Sequence, residues 1–373
     1  MYRKRLVVGI FNPTLHAIGG GEYATLVMIN TLKKQGYRVI VFSSKKINSQ
    51  KIVKFYGEKY AVDSQITFPI LSSIHWNPVD VKCVYLNMLG LKILRSTSDI
   101  LIDVFSGVML PWADITYLQI LGKDFNVKGF HNLFLLPYTN ILKLTKTENK
   151  TLIACSKFVA KNEEKRGLRC GVLYPPVDVN YFSYCKAIEQ SHHIKKDQVI
   201  TVSRISMEKN LENIPKIAKL VDNGIKFFIV GGFESYTALS LIRETIKKLN
   251  VGNRVKILIN ISREKLRELL LESKVYLHTR KNEPFGITIV EAMSAGCIPV
   301  VHNSGGPCEF VPTDLRYQTL LECVKKVERE VGRWSDTKAF KMNNISKKFS
   351  KEKFSERFLD ILSKSTEKFD YNF

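Results

Sequence analysis

The sequence predicts an α/β protein made of two doubly wound, Rossmann-like domains that face one another across a cleft. Short apolar runs rich in valine and isoleucine recur along the chain, and helical patterns separate them. Runs that are apolar on both faces suit parallel strands covered by helices on each side. The length of 373 residues favours two domains over one.

The alternation of strand and helix patterns can be followed in order. The predicted strands of the first half are 5–11, 38–43, 99–106 and 151–156, and those of the second half are 199–204, 226–232, 274–279 and 297–302. The first helix, 21–36, has apolar residues at helical spacing and ends at Gly36, the usual residue after a helix C-terminus.

The domain boundary is predicted within 171–182, where Pro175 and Pro176 end any helix. We therefore expect an N-terminal domain over residues 1–172, a C-terminal domain over 173–340 and a helical tail over 341–373. The tail has an apolar stripe at Phe349, Phe354, Phe358 and Ile361, and this stripe predicts a helix that packs back on the N-terminal domain.

Composition narrows the class of protein. The formal net charge is +22, of which residues 1–172 contribute +13. Such an excess attracts anionic partners: nucleic acid, an anionic membrane surface or phosphorylated small molecules. The seven cysteines lack metal-ligand spacing. We read no signal peptide and no membrane-spanning segment, and we expect a cytoplasmic protein without a structural metal.

A glycine-rich turn, "GGGEYA" at 19–24, opens the first helix. Gly20 and Gly21 let the backbone approach an anion, and the helix N-terminus offers unpaired amides. A turn of this kind is also ordinary architecture. The turn lacks the GxGxxG spacing of a dinucleotide fold, which disfavours a nicotinamide enzyme.

A basic pair follows the first strand of the second domain. Arg204 and Lys209 stand five residues apart in "TVSRISMEKN". Ligands of open α/β sheets bind at the carboxyl ends of the strands, so two cations at this place suit a diphosphate. The alternative is a basic pair that is merely solvated.

Two carboxylates, Glu283 and Glu291, flank the start of a predicted helix in "NEPFGITIVEAMSAG". Glu283 lies in the loop and Glu291 two turns into the helix. The amides at the helix N-terminus can receive an anion, and an ionised carboxylate accepts hydrogen bonds from vicinal sugar hydroxyls. The alternative is that both are solvated charges. An acidic residue among apolar neighbours needs a partner, which favours the functional interpretation.

At these residues the chain resembles GT-B glycosyltransferases of family 4. The glycine-rich loop, the Arg…Lys pair and the Glu-x7-Glu motif occur in that family's order, and "KFSKEKF" at 348–354 echoes its C-terminal pattern. The resemblance covers essentially the whole chain. "LYPPVD" and "EPFGITIVEAMSAGCIPVVHNSGGP" are most similar to the branch that extends lipid-linked oligosaccharides in the dolichol pathway with mannose from GDP-mannose.

The resemblance implies roles for single residues. Arg204 and Lys209 would bind the donor diphosphate, Glu291 the ribose and Glu283 the transferred sugar; Glu283, Arg204 and Lys209 would be the catalytic residues. The rest of the donor pocket would be formed by Gly20, Gly21, Phe285, Gly286, Ile287 and Thr288. Transfer would retain the anomeric configuration and need neither cofactor nor metal, since Arg204 and Lys209 can meet the phosphate charge.

One departure concerns the first domain. Many relatives carry a histidine after the strand that resembles "DITYLQI", whereas this chain has Gln119 there. Glutamine can hydrogen-bond a sugar hydroxyl but does not titrate near neutral pH. His16, just before the glycine-rich turn, is a candidate substitute for contact with the sugar or acceptor.

Three functions stay open at this point. The first is a hexosyltransferase, with mannose as the preferred sugar and a lipid-linked glycan as acceptor. Its basic N-terminal domain and the apolar tract 129–144 would contact the cytoplasmic face of an anionic membrane; a buried core segment explains that tract equally well. The second is a GT-B transferase or sugar-nucleotide enzyme that uses a UDP- or ADP-sugar and a soluble acceptor. The third, a nucleic-acid-binding protein, explains the charge but not the paired glutamates.

Overall fold

The computed structural model describes residues 6–17, 19–67, 81–105, 112–119, 150–190 and 195–370. Internal contacts divide the chain into two compact units. The first unit comprises the chain up to Pro176 together with the segment from Phe354 onward, and the second comprises Val177–Lys353.

The first unit contains a seven-stranded parallel sheet in the order β3-β2-β1-β4-β5-β6-β7. Its strands are β1 (Val7–Phe11), β2 (Arg38–Phe42), β3 (Ser64–Ile66), β4 (Ile100–Asp103), β5 (Ile115–Leu118), β6 (Thr151–Ala154) and β7 (Gly171–Val172). Its helices are α1 (Gly20–Lys34), α2 (Ser49–Tyr56), α3 (Val81–Ser96) and α4 (Lys157–Glu164). Strands β1, β2 and β4 are buried almost throughout, as their apolar runs predict, and β5, which none of those runs includes, is buried as well.

The second unit contains a six-stranded parallel sheet in the order β10-β9-β8-β11-β12-β13, the Rossmann strand order. The strands are β8 (Lys196–Val202), β9 (Lys226–Gly231), β10 (Val255–Ile259), β11 (Ser273–His278), β12 (Ile298–His302) and β13 (Arg316–Tyr317). The helices are α5 (Tyr184–Gln190), α6 (Asn213–Leu220), α7 (Tyr236–Leu249), α8 (Arg263–Glu272), α9 (Ile287–Ser294), α10 (Leu320–Gly332) and α11 (Asp336–Ser346), and α12 (Lys351–Asp370) follows.

Each face of the second sheet carries its own apolar core. Val199 belongs to the core beneath α6, α7 and α10, whereas the next residue, Ile200, belongs to the core beneath α8, α9 and α11. This alternation follows from the two-residue period of a strand. Side-chain caps start the helices: Ser235 accepts from the amide of Ala238 at the start of α7, and Ser262, Thr319 and Ser335 cap α8, α10 and α11 in the same way.

A buried lysine fixes the ends of two of these helices. Lys195 Nζ donates to the backbone oxygens of Ser273 and Ala295 at 2.7 Å and of Leu270 at 3.1 Å. These carbonyls lie at the C-termini of α8 and α9, where a cation is favoured by the helix dipole. Burial lowers the pKa of Lys195 to about 8. The lysine therefore holds the far end of α9, the helix that carries Glu291.

The boundary between the units lies at 176/177, four residues beyond the predicted 172/173. Residues 341–353, which the sequence assigned to the tail, belong to the second unit. Helix α11 packs on α9 and α5, and Val177 forms a bridge with Ser350. From Phe354 onward α12 packs in the first unit.

Contacts of α12 with the first sheet are specific. The ring of Phe354 meets that of Tyr117 edge-on at 6.4 Å, and the hydroxyls of Ser355 and Thr31 lie 2.7 Å apart. Phe358 is fully buried and stacks on Phe354. The C-terminal helix thus closes a core that begins more than three hundred residues earlier in the chain.

Replacing Phe358 with alanine is expected to destabilise the first unit by about 3–5 kcal/mol, because the substitution leaves a cavity under α12. Amide hydrogen exchange read by mass spectrometry should become faster in β5 and β6 while the second sheet keeps its protection. The exposed residue Lys364 offers a control, since Lys364→Ala removes only a surface ion pair. Unchanged protection of β5 and β6 in the Phe358 variant would contradict this packing.

Candidate active site

The predicted site residues of the second unit gather at the carboxyl edge of its sheet. Arg204 and Lys209 follow β8, Glu283 follows β11, and Glu291 lies in α9. Parallel strands end at the same edge, so residues far apart in sequence meet there. Lys209 and Glu283, 74 positions apart, are in direct contact.

Glu283 is a buried carboxylate surrounded by cations. It is 9% exposed, and its Oε2 lies 2.9 Å from Lys209 Nζ and 3.1 Å from His278 Nε2. Arg280 Nη1 lies 3.4 Å from both carboxylate oxygens. Burial alone would raise the pKa of Glu283, but the hydrogen bond from His278 and the charges of His278, Lys209 and Arg280 hold that pKa below its ordinary value. Glu283 is therefore ionised.

His278, at the end of β11, positions this carboxylate. It is the last residue of β11, its backbone oxygen accepts from Tyr317 Oη at 3.0 Å, and its ring stacks beside Tyr276. His278 Nδ1 is buried without a partner among the described residues. His278 thus holds the Glu283 carboxylate through Nε2, and its backbone oxygen ties the end of β11 to Tyr317.

The loop that carries Glu283 is fixed by a second loop after β12. The amide of Gly306 donates to Glu283 O at 2.8 Å, and the amide of Asn282 donates to Ser304 Oγ at 2.8 Å. A Cβ on Gly306 would lie 2.1 Å from Pro284 O, so any larger residue would push the loops apart. The stretch "NSGGP" therefore sets the position of the carboxylate.

Arg204 is held by carboxylates on both sides. Its Nη1 donates to Glu234 Oε1 at 2.8 Å, and its Nη2 lies 3.5 Å from Glu208 Oε1. Glu208 also accepts from Arg280 Nη2 at 3.3 Å. The loop of Arg204 passes so close to β9 that a Cβ on Gly231 would lie 1.6 Å from Ser203 O. Sequence reasoning found Arg204 but missed Glu208, Glu234 and Arg280, which look like ordinary surface charges.

Glu291 presents the opposite electrostatic case. It is half-buried in α9, and no described residue donates a hydrogen bond to its carboxylate. Burial raises its pKa to about 7, although the charge of Arg263 lowers it, while Asp178 raises it further. Asp178 lies 2.5 Å from Arg263, and this ion pair offsets the effect of the Arg263 charge on Glu291. Among the described residues, the carboxyl group of Glu291 therefore has no hydrogen-bond donor, and burial favours its protonated form.

The start of α9 supplies backbone donors between the two glutamates. Gly286 caps the helix in a left-handed conformation with φ of 94°, where a side chain would be strained. The amides of Ile287 and Thr288 meet no acceptor in the described part of the chain, as expected for a first helical turn. Phe285 is buried against Phe310 and Phe349 and anchors the turn from behind.

The predicted residues of the first unit meet at the carboxyl edge of their own sheet. Gly20 and Gly21 open α1, and a Cβ on Gly21 would lie 2.5 Å from Gln119 Oε1. Gln119 Nε2 donates to Val104 O at 3.3 Å. His16 Nδ1 lies 3.3 Å from Ser44 Oγ, and burial, reinforced by the charge of Lys45, lowers the pKa of His16. Gln119 thus packs against the glycine-rich turn.

Metal binding and membrane spanning are two further properties that the described residues address. No group of three or more His, Cys, Asp or Glu side chains within them is arranged to hold a metal ion. None of the helices described here is both long and apolar enough to cross a membrane. The apolar tract 129–144 lies outside the described residues.

The sequence matches proteins of known activity. Residues 186–316 match the family model for glycosyl transferases group 1. The human GDP-Man:Man(3)GlcNAc(2)-PP-Dol alpha-1,2-mannosyltransferase is 25% identical over an alignment that covers 82% of this chain and 74% of the human protein. The Dictyostelium discoideum protein of the same name is 29% identical over 51% of this chain and 41% of its own length.

Solved structures resemble the whole chain. Anabaena HepE in complex with UDP and glucose superposes with a TM-score of 0.73 at 18% identity, covering 96% of this chain and 100% of HepE. Sucrose-phosphate synthase of Thermosynechococcus elongatus superposes with a TM-score of 0.74 at 14% identity, covering 96% of this chain and 99% of the synthase. These likenesses confirm the predicted fold. The chain is a glycosyltransferase of the GT-B fold, and its second unit carries a group 1 glycosyl transferase domain.

Proposed function

We propose that the protein transfers mannose from GDP-mannose to a lipid-linked oligosaccharide, with retention of configuration and without a metal. One observation carries the proposal: at one sheet edge, an ionised Glu283 and an unpartnered Glu291 flank a row of cations and free amides. This arrangement offers acceptors for two sets of hydroxyls with an anion site between them. The names of the relatives supply the donor and the acceptor.

Lys209, Arg204 and the first amides of α9 provide the anion site. A diphosphate placed there would accept from Lys209 Nζ, from the Arg204 guanidinium and from the amides of Ile287 and Thr288. Glu291, eight residues from Glu283 along the chain, would then accept from the ribose hydroxyls. These hydroxyls would supply the partner that the carboxylate lacks among the described residues.

Glu283 would hold the transferred sugar. Its Oε2 is occupied by Lys209 and His278, whereas its Oε1 has only the 3.4 Å approach of Arg280. Oε1 therefore keeps lone pairs for a sugar hydroxyl. Since its cations keep Glu283 ionised, the group accepts hydrogen bonds and does not act as an acid.

Transfer of the sugar would depend on how the acceptor is positioned and on how the charge of the leaving phosphate is stabilised. The bond from the anomeric carbon to the phosphate oxygen breaks, and a bond to the acceptor oxygen forms on the same face. The departing phosphate oxygen takes the acceptor's proton, so atoms and charge balance. Lys209 and Arg204 would stabilise the charge that develops on this phosphate.

The first unit offers a surface for a lipid-linked acceptor. Helix α3 exposes Tyr85, Leu89 and Ile93 at four-residue spacing, so they form one stripe along the helix. Lys92 and Arg95 are exposed on the same helix. An apolar stripe with basic neighbours suits the surface of an anionic membrane, where each cation contributes on the order of 1 kcal/mol.

The donor can be identified by calorimetric titration with GDP, GDP-mannose, UDP and UDP-glucose. We expect selective binding of the guanine nucleotides and loss of at least tenfold in affinity in Glu291→Gln and Arg204→Ala.

Affinity for GDP-mannose should rise up to about tenfold from pH 6 to pH 8, because ribose hydroxyls favour the ionised form of Glu291. This sugar nucleotide has no ionisation of its own in that range.

The Glu291→Gln variant should lose this pH dependence. Its folded state should also be more stable than the wild type at pH 8. The folded-state pKa of Glu291 exceeds its unfolded value, so its unfavourable contribution to stability grows as pH rises from about 4.5 to 7. Glu268→Gln, an exposed glutamate on α8, is the matched control. Selective uridine binding would support the soluble-acceptor alternative, and tighter binding of random RNA than of any nucleotide would contradict both transferases.

Replacing Glu283 with glutamine distinguishes contacts to the transferred sugar from contacts to the nucleotide. The turnover number should fall by about 10²–10³, whereas the Kd of GDP should change by less than about fivefold. The variant leaves Lys209 and Arg280 in place, so the diphosphate keeps its partners. Thermal unfolding confirms that the variant is folded before kinetics are compared. Equal losses of turnover and of GDP affinity would contradict the division of roles between Glu283 and Glu291.

Membrane attachment is tested by sedimentation with phosphatidylcholine vesicles that contain or lack phosphatidylglycerol. At low salt the protein should bind the anionic vesicles only, and Leu89→Gln with Ile93→Gln should reduce the bound fraction at least tenfold. Leu321→Gln, which removes an exposed leucine from α10 in the second unit, is the control. Binding that ignores lipid charge, or that falls equally in the control, would count against the α3 surface.

A further inference from the structure

The cations of the candidate donor site are already paired. Among the described residues at this sheet edge, three cations and three carboxylates alternate in one connected network. The order of contacts runs through Glu234, Arg204, Glu208, Arg280, Glu283 and Lys209. Its formal charge is balanced when no ligand is bound.

The three carboxylates differ in how firmly they are held. Glu283 is buried and contacts Lys209, Arg280 and His278, so moving it away from them would leave its charge unpaired and poorly solvated. Glu208 and Glu234 have side chains that are 48% and 42% exposed. Exposed ion pairs contribute little, and their side chains can rotate into water without a change of the backbone.

A balanced network has a consequence for a polyanion. A diphosphate placed beside Arg204 would meet the carboxylates of Glu208 and Glu234, and like charges in contact repel. Its phosphate oxygens can bind the guanidinium groups only where these carboxylates leave. Arg280 contacts both Glu208 and Glu283, so the departure of Glu208 frees one of its donors.

We propose that Glu208 and Glu234 stand in for phosphate oxygens in the ligand-free site and are displaced by the donor diphosphate, and that Arg280 is a third phosphate-binding cation released by this exchange. The inference rests on the proposed function and extends it. Glu283 stays on Lys209 during the exchange, so sugar binding and phosphate binding use separate carboxylates.

The test is a titration of the full-length protein with GDP and with inorganic pyrophosphate. Glu208→Gln and Glu234→Gln should each bind both ligands about 1.5- to 5-fold more tightly than the wild type, because each removes a competing anion and keeps the side chain's size. Glu268→Gln changes the net charge equally but lies outside the network, and it should leave both affinities within twofold.

The role of Arg280 is tested by Arg280→Gln, which should lower the affinity for both ligands about three- to tenfold. When Arg280 is already replaced, adding Glu208→Gln should increase the affinity for both ligands less than Glu208→Gln does alone. The Glu208 carboxylate then has only Arg204 for which to compete with the ligand. Unfolding temperatures establish that each variant is folded.

The outcomes separate the exchange from the proposed function. Tighter binding in both glutamine variants, with no gain in Glu268→Gln, supports the exchange. Binding of GDP and pyrophosphate to the wild type with unchanged or weaker affinity in Glu208→Gln and Glu234→Gln would overturn the exchange alone, since the carboxylates would then serve to position Arg204. Failure of the wild type to bind either ligand would overturn the proposed function together with the exchange.

Discussion

The buried Glu283 carboxylate and the cations around it constrain the rest of the second unit. A charge that is 9% exposed must be paired, and its partners come from separate segments: Lys209 from the turn after β8, and His278 and Arg280 from the end of β11. The loop after β12 approaches from the other side through Gly306. Three segments therefore converge on one group, and the same convergence forms the carboxyl edge at which a ligand can bind.

Two glutamates eight residues apart have opposite electrostatic states. Cations keep Glu283 ionised, whereas burial without a hydrogen-bond donor raises the pKa of Glu291 to about 7. The difference lies in the surroundings, since the two side chains are chemically identical. Glu283 follows a strand end where cations gather, and Glu291 lies inside a helix packed on an apolar core. Separate environments of this kind let two carboxylates take different roles in one reaction.

The sequence predicts what depends on local pattern and misses what depends on distant contacts. Apolar runs identified eight of the thirteen described strands. Among the other five, β3, β7 and β13 have only two or three residues, and Thr116 in β5 and Lys256 in β10 interrupt the apolar run. Lys195 looks like a solvated charge because its carbonyl partners lie 75–100 positions away. At the site, the spacing of Glu283 and Glu291 marked both residues. Glu208, Glu234 and Arg280 carry no motif, and only the fold brings them to Arg204.

The ligand-free site leaves little uncompensated charge. Each cation of the network has a carboxylate, and burial raises the pKa of Glu291 to about 7, which favours the protonated form of this group. For the buried Glu283 and for Glu291 this compensation matters most, because an unpaired buried charge would cost several kcal/mol. Under the proposed function a nucleotide sugar would reverse both features: its phosphates would replace the exposed carboxylates, and its ribose hydroxyls would stabilise the ionised form of Glu291. The groups that compensate charge in the empty site would thus be the ones that respond to a ligand with an anionic centre and hydroxyls beside it.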